Sequence, residues 1–338
     1  MRKLLLIFFF LPLGIIFGQK TYVMHYLPIL TESQAKSYIG YDAIVVDHEV
    51  IHTSAGQLKM LKRINPKLKI LVYSEKMQWH RPMFPDKPWS LWMTKTLEKY
   101  PKWFLLSPTG KNLVFWPGTV MMDCRLNGFK YIIDGKKYSY IEYFTDRYIK
   151  DVIMAYKNNA IKLDGVLDDD LFKDIHFLEG GVDANRDGLE DEASELNRQW
   201  RLGNAYFLKE IRKTMGPDFL IIGNGGHGYY MDVCQGKQME NFPEIYIGNW
   251  GNNMSHAAGM KIAFFNARED NWLFTICSGM LLDNVWFSYK QNTAYQDKYN
   301  LNLGEPNGQF YQENGIFIRK FQRGTVFVDP SKEKAWVE

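Results

Sequence analysis

Short apolar runs rich in β-branched residues alternate along this chain with stretches whose apolar residues recur at helical spacing. No other feature restricts the fold as much. "TYVMHYL" reads as a first strand, and "ESQAKSYI" as a helix capped by Thr31. "DAIVVDHE" is a nearly continuous β-branched run, the pattern of a parallel strand buried on both faces. "SAGQLKMLKRIN" has helical spacing through Leu58, Leu61 and Ile64, with Pro66 just beyond it. "KLKILVYSE" is the next strand. An irregular stretch from Lys76 to about Asp134 follows, carrying Trp79, Trp89, Trp92, Trp103, Trp116 and several prolines. The pattern then predicts a helix at "YSYIEYFTDRYIKDVIMAYKNN", a strand at "LDGVLDD", a helix at "SELNRQWRLGNAYFLKEIRKTM", and a strand at "DFLIIGN" with a Gly-rich turn after it. "PEIYIGN" and "NWLFTICSG" read as the last strands, with a helix over "SHAAGMKIAFFNA" between them.

Repeated β–α alternation implies a parallel sheet covered by helices. About seven or eight strands fit a (β/α)8 barrel, a TIM barrel, of ~250 residues plus insertions. An open doubly wound sheet binding a nucleotide needs a Gly-rich phosphate loop after its first strand. Here that place holds "PILTES", without glycine, and the later "GNGGHGYY" lacks the phosphate-loop lysine. The α/β barrel is therefore the expected fold. In the tail, "GIFIRKFQRGTVFVDPS" has a β-rich run on each side of "QRG", a short C-terminal β extension expected to form a hairpin closing one end of the barrel. The expected organisation is a signal peptide over 1–18, the barrel over 19–303 and the extension over 304–338.

The opening "MRKLLLIFFFLPLGIIFGQK" has a positive n-region, Arg2 and Lys3, an apolar core from Leu4 to Phe17, and small Gly18. This is the pattern of a secretory signal peptide, and its apolar run falls short of the ~20 residues of a spanning helix. An uncleaved N-terminal anchor is the competing reading. With no cysteine near the cleavage point, a bacterial lipid anchor is not expected. The protein is expected to be exported, to a bacterial periplasm or to the medium, with no membrane span after cleavage, and to act as a monomer. A formal charge of +3 without a long basic run argues against nucleic acid as a partner. Cys124, Cys234 and Cys277 are too few and too widely spaced for a disulfide framework or a metal site. They read as small buried hydrophobes, with room for one disulfide.

Active residues of a barrel sit at the C-terminal ends of its strands. That rule selects Asp47, His48 and Glu49 after the second strand, and Tyr73, Ser74 and Glu75 at the third. It selects Asp168, Asp169 and Asp170 at the central one, Asn224 after "IIG", and Glu240 with Asn241 in "GKQMENF". Carboxylates at several strand ends with aromatic residues nearby suggest a sugar-binding cleft, and glycosidic hydrolysis uses two carboxyl groups. Three adjacent aspartates cannot all face one site, because successive strand residues alternate in direction. Asp164 opens its strand and belongs to the opposite face. His48, His52 and His80 make no recognisable metal triad.

"DANRDGLEDEASE" places Asp183, Asn185 and Asp187 at alternate positions before Gly188, with Asp191 at the ninth, matching the opening of a calcium loop. The twelfth position is Ser194 rather than glutamate, so this is not an EF-hand. A structural Ca2+ site and a solvated acidic turn both remain open.

"FWPGTVMMDCRLN", "LDGVLDDD", "IIGNGG", "MENF" and "IFIRKFQRGTVFVDPS", in this order, resemble hypothetical glycosyl hydrolase family 15, a family related in pattern to the alpha-galactosaminidase-type TIM barrels. The resemblance spans roughly Tyr22 to Ser331. It implies a barrel acting on a poly- or oligosaccharide without a cofactor for catalysis. Such families carry a strand "DGVFLD" whose last aspartate is the catalytic or substrate-contacting acid. Asp164, Gly165 and Val166 match, and the last acid falls on Asp169. An apolar residue would stand where Asp168 does, which leaves the choice among the three aspartates open. The "ENF" glutamate falls on Glu240, the second carboxylate of the implied pair. "DCRLN" stands where related barrels carry a "DWRNP"-like segment, with Cys124 for Trp, so Asp123 is a weaker candidate for a substrate contact. Asp168, Asp170, Asp47, Glu49, Glu75, Asn224, Trp79 and Trp116 are the expected cleft-lining residues. A non-catalytic glycan-binding protein on the same barrel is the alternative. The lack of a His/Asp ligand set counts against a metal-dependent hydrolase such as a deacetylase.

Overall fold

In the computed structural model, which describes residues 19–80, 88–225, 229–268, 270–289 and 291–338, eight parallel strands close into a barrel. They are β1 (Lys20–His25), β2 (Ala43–Val46), β3 (Lys69–Ser74), β4 (Gly165–Asp168), β5 (Leu220–Asn224), β6 (Gly236–Phe242), β7 (Ile262–Ala267) and β8 (Val285–Ser288). Each strand pairs with its neighbours in chain order, and β8 closes on β1. The segment 1–18, expected to be a signal peptide, lies outside the described residues. No helix among them is long and apolar enough to cross a membrane.

Side-chain alternation divides each strand between two cores. Tyr22, Met24, Val45, Leu71, Leu167, Ile222, Phe264 and Trp286 fill the barrel interior. The intervening residues, such as Val23, Ile44, Val72 and Val166, pack outward against the helices. The predicted helices at Glu32–Ser37, Ala55–Ile64 and Ala193–Met215 are present, the first with Thr31 and Gln34 forming a capping box. The predicted helix after Ser139 continues through a π-helical turn, Tyr148–Ile153, to Asn158.

The last third of the barrel differs from the sequence pattern. "PEIYIGN" forms turns, and the strand is "GKQMENF" before it. Its polar residues disguise it: Gln238 and Glu240 point inward, while buried Lys237 pairs with Glu244 at 3.1 Å. "SHAAGMKIAFFNA" divides at Gly259 into the end of helix Trp250–Ala258 and the whole of β7. "NWLFTICSG" is the helix Trp272–Met280, not a strand: a short apolar run buried all round carries no period that separates the two. The irregular stretch after Lys76 contains the helix Pro88–Lys99 and a ribbon of Gln78–His80 on Thr119–Met121. All three cysteines are buried free thiols, so the room left for a disulfide is not used.

The tail forms the predicted hairpin, flanked by two further strands. β9 (Tyr311–Glu313), β10 (Ile316–Phe321), β11 (Gly324–Asp329) and β12 (Lys334–Val337) make an antiparallel sheet. It packs on helix Trp272–Met280, on the barrel's flank rather than over an end. Buried Arg319 fixes it there, donating to Met280 O at 3.0 Å and pairing with Asp283 at 2.5 Å.

Candidate active site

The inward-facing positions of β3 to β6, continued past the last interior layer, converge at the C-terminal mouth. Leu71 is followed two residues on by Tyr73 and then Glu75, Leu167 by Asp169, Ile222 by Asn224, and Gln238 by Glu240. At Glu240 the ladder to β7 slips: Met239 faces Phe265 and Phe242 faces Ala267, so Glu240 and Asn241 oppose one residue. Asn241 takes the left-handed conformation, φ 54°. Bulges of this kind re-aim side chains at barrel rims.

Asn224 joins the two carboxyls. Its Nδ2 donates to Asp169 Oδ1 at 2.7 Å and to Glu240 Oε2 at 3.3 Å, so those oxygens lie no more than about 6 Å apart, the reach of two bonds meeting at one atom. Asp169 also accepts from Tyr73 Oη at 2.5 Å and from the Asp170 amide at 2.8 Å. These donors are placed to meet negative charge. Burial raises Glu240, and the neighbouring Asp169 raises it further against the opposing Asn224 bond. Asp169 is thus ringed by hydrogen-bond donors, while the surroundings of Glu240 favour its protonated form.

Two more carboxyls adjoin this pair. Burial pushes Glu75 well above the usual range, with further pushes from Asp170 and Asp169. Asp170 is pushed up to about 7, by burial first and then by Asp169. Gln78 donates to Asp170, and the Met77 and Gln78 amides donate to Glu75 Oε1 at 2.9 and 3.2 Å. Asp170 sits at φ 47°, a conformation that Asp tolerates better than most residues. Tyr26 completes the mouth with its ring edge-on to Tyr73, centroids 5.0 Å apart. Burial raises its phenol, and then the charges of Asp169 and Glu240 do so. Helix Tyr140–Arg147 and the turn after it brace β3 from outside, where Tyr148 Oη and Tyr140 Oη donate to the carbonyls of Tyr73 and Lys76 at 2.8 and 2.9 Å.

The structure brings Asp169, Glu240, Asn224, Glu75 and Asp170 together. It removes three expected lining residues. Asp168 points outward, 0 % exposed, and pairs with equally buried Lys76 at 2.5 Å. Glu49 is buried and accepts from the Trp89 and Ser90 amides, anchoring helix Pro88–Lys99. Asp47 accepts from the Glu49 amide at 2.8 Å and lies in the helix layer, close enough to Tyr156 for its charge to raise that phenol after burial has done so. Asp123 is held by Arg125 through bonds of 2.8 and 3.0 Å, not free for substrate. Trp79 is half-buried against the core, and Trp116 is 55 % exposed. Tyr26 and Gln78 were not expected here, and Tyr73 was selected only as a strand-end residue, not as part of the lining. A period of two from Leu71 and Met24 reaches the tyrosines; Gln78 has no sequence signal.

In the acidic loop, Asp183 accepts from the amides of Arg186, Asp187 and Gly188 at 2.7, 3.1 and 2.9 Å. Asp187 accepts from Leu189, and Asp191 from Ala184, both at 2.9 Å. Asn185 Oδ1 takes the Asp187 amide. Among the described residues no three His, Cys, Asp or Glu side chains are gathered as a metal ion would require.

Comparison with known proteins bears on this arrangement. The model of hypothetical glycosyl hydrolase family 15 matches residues 62–280. The fold resembles the alpha-N-acetylgalactosaminidase NagBb of Bifidobacterium bifidum, as a quadruple mutant, with TM-score 0.52 and 8 % identity over 95 % of this chain and 58 % of that one. The same enzyme in complex with Gal-NHAc-DNJ gives TM-score 0.51 at the same identity and coverage. The noncanonic maltogenic alpha-amylase AmyB of Thermotoga neapolitana gives TM-score 0.49 and 10 % identity, over 92 % of this chain and 86 % of that one. At these identities the likeness concerns the fold alone, and the chain spans only 58 % of the length of the Bifidobacterium enzyme. No curated protein matches the sequence.

Proposed function

The chain belongs to hypothetical glycosyl hydrolase family 15, and on that premise we propose that it is a glycoside hydrolase acting on a poly- or oligosaccharide with Asp169 and Glu240 as its carboxyl pair. The observation that carries the proposal is the single amide nitrogen of Asn224 bonded to both carboxylates. A separation within about 6 Å supports the retaining geometry, ~5–5.5 Å, over the ~6.5–9.5 Å that an inverting enzyme leaves for water. Glu240, kept protonated, gives its proton to the glycosidic oxygen as the C–O bond breaks. Asp169 closes on the anomeric carbon and forms a glycosyl ester. Water then attacks that carbon, Glu240 takes the water's proton, and the ester bond to Asp169 breaks, restoring both groups. The leader-like segment 1–18 supports export as the route to such a polymer.

The test is glycan turnover by the mature protein across a broad panel of polysaccharides and amino-sugar polymers, with released oligosaccharides read by mass spectrometry. Wild type should release product. Asp169→Asn and Glu240→Gln, checked for intact fold, should fall by about 10²-fold or more. Undiminished release in either variant would sink this pair. Binding without release, unchanged in both, would favour the non-catalytic glycan-binding reading.

A further inference from the structure

Beside the carboxyl cluster lies an aromatic ledge that the chemistry above does not use. Phe172 follows Asp170 by two residues, and its ring lies 3.3 Å from where a Cβ on Gly225 would be, next to Asn224. Phe115 meets Phe172 at 5.4 Å between centroids, and Phe177 meets both, at 6.1 and 5.5 Å. Trp116 stands on Phe115 at 5.1 Å. The ledge runs from half-buried rings at the strand ends to solvent, with Phe177 48 % and Trp116 55 % exposed.

This surface is braced rather than loose. Thr119 Oγ1 donates to Trp116 O at 2.7 Å and accepts the Trp116 amide at 3.2 Å, while the Thr119 amide donates to the same carbonyl at 3.0 Å. Thr119 belongs to the ribbon whose other strand starts at Gln78, and Gln78 donates to Asp170. The ledge is therefore tied to the acids twice, through Phe172 in the β4 loop and through the Gln78 ribbon. Large apolar side chains held in water at such a fixed place mark a binding surface. A sugar ring has one requirement for each half of this arrangement: its C–H face packs on an aromatic face, and its hydroxyls need acceptors such as the adjoining carboxylates.

We infer that Trp116 and Phe177 form a distal binding platform for a glycan chain running from the Asp169–Glu240 pair out along the β4 side, so that the protein takes a polymer several sugar rings long rather than a single terminal sugar. The inference rests on the glycosidase reading for its occupant, and the experiment separates the two. Native affinity gels containing each of a panel of soluble polysaccharides measure retardation of wild type, Trp116→Ala, Phe177→Ala and the Asp169→Asn/Glu240→Gln double variant. Wild type and the double variant should be retarded by at least one polysaccharide. Trp116→Ala and Phe177→Ala, with thermal midpoints close to wild type because each ring is about half exposed, should bind it at least tenfold more weakly. Retardation of Trp116→Ala and Phe177→Ala equal to wild type overturns the platform, and so does retardation of wild type by no member of the panel. Product release is scored separately. Ledge-dependent retardation without release by wild type sinks the hydrolase reading alone, and release with no dependence on Trp116 or Phe177 sinks the platform alone.

Discussion

Asp168 and Asp169 are consecutive residues at the end of one strand, yet they inhabit opposite regions. Asp168 faces the helix layer, where Lys76 compensates its charge and the Phe207 ring lies 5.1 Å from that ammonium. Asp169 faces the barrel mouth, where its neighbours Glu75, Asp170 and Glu240 are acids too. Among the described residues none of these four carboxyls has an ion-pair partner. The outer region neutralises its buried carboxylate with a cation. The inner one crowds carboxyls together and leaves protonation to relieve them. A fold that needed only stability would favour the first arrangement, and the second is how a site acquires one acid and one base near neutral pH.

The largest expected effect removes the compensation outside. Lys76→Met leaves Asp168 buried without its cation, and urea unfolding should show a loss of about 3–5 kcal/mol. Lys76→Met combined with Asp168→Leu should recover most of it, because an apolar pair of similar volume has no charge to strand. A loss below about 1 kcal/mol in the single variant would mean that the outer pair is not the structural opposite of the inner cluster.

The inner cluster should respond with the other sign. Asp170 has a folded-state pKa of about 7 against an ordinary 3.8, so the folded protein holds a proton there that the unfolded chain releases. Its contribution to stability is full below about pH 4 and is lost as the pH rises through about 7. Asp170→Asn keeps a residue tolerant of the left-handed backbone and removes that dependence. At pH 8 the variant should be the more stable by at least about 1.4 kcal/mol, the equivalent of one pKa unit, and the advantage should vanish near pH 4. Urea midpoints at both pH values measure it, and equal differences at the two would mean that Asp170 does not carry the cluster's proton.

This contrast was only partly legible in the sequence. The alternation of strands is visible wherever a strand is β-branched, as in "AIVV" and "KILV", and those strands fix the barrel. Period two shows that Asp168 and Asp169 face opposite ways, but not which faces in. That depends on Leu167 lying in the barrel interior, a consequence of sheet closure. β6 escaped recognition because its inward residues, Gln238 and Glu240, are polar, and its outward Lys237 is a charge paired with Glu244, seven residues on. A strand whose inward face is polar lacks the apolar alternation by which a strand is read from sequence. Glu49 and Asp47 stand at a strand end like the others, and only the helix Pro88–Lys99, hidden in an irregular stretch, shows that Glu49 serves as its anchor.

Asp183 offers a third way of accommodating a carboxylate, and the smallest expected effect. It is nearly fully buried, like Asp168, but it is met by three backbone amides rather than by a cation. Those amides already supply much of what an anion needs in a tight turn. Calcium binding at this loop would add to stability by mass action, about 2.7 kcal/mol when the ion is a hundredfold above its dissociation constant. That corresponds to a rise in the melting temperature of several degrees for a chain of this size. Thermal unfolding in excess calcium and in chelator should instead give midpoints within about 1 °C, well below that rise. A larger rise with calcium, abolished by Asp187→Ala, would show that the loop is a metal site and that its amide bonds only hold the ligands in readiness.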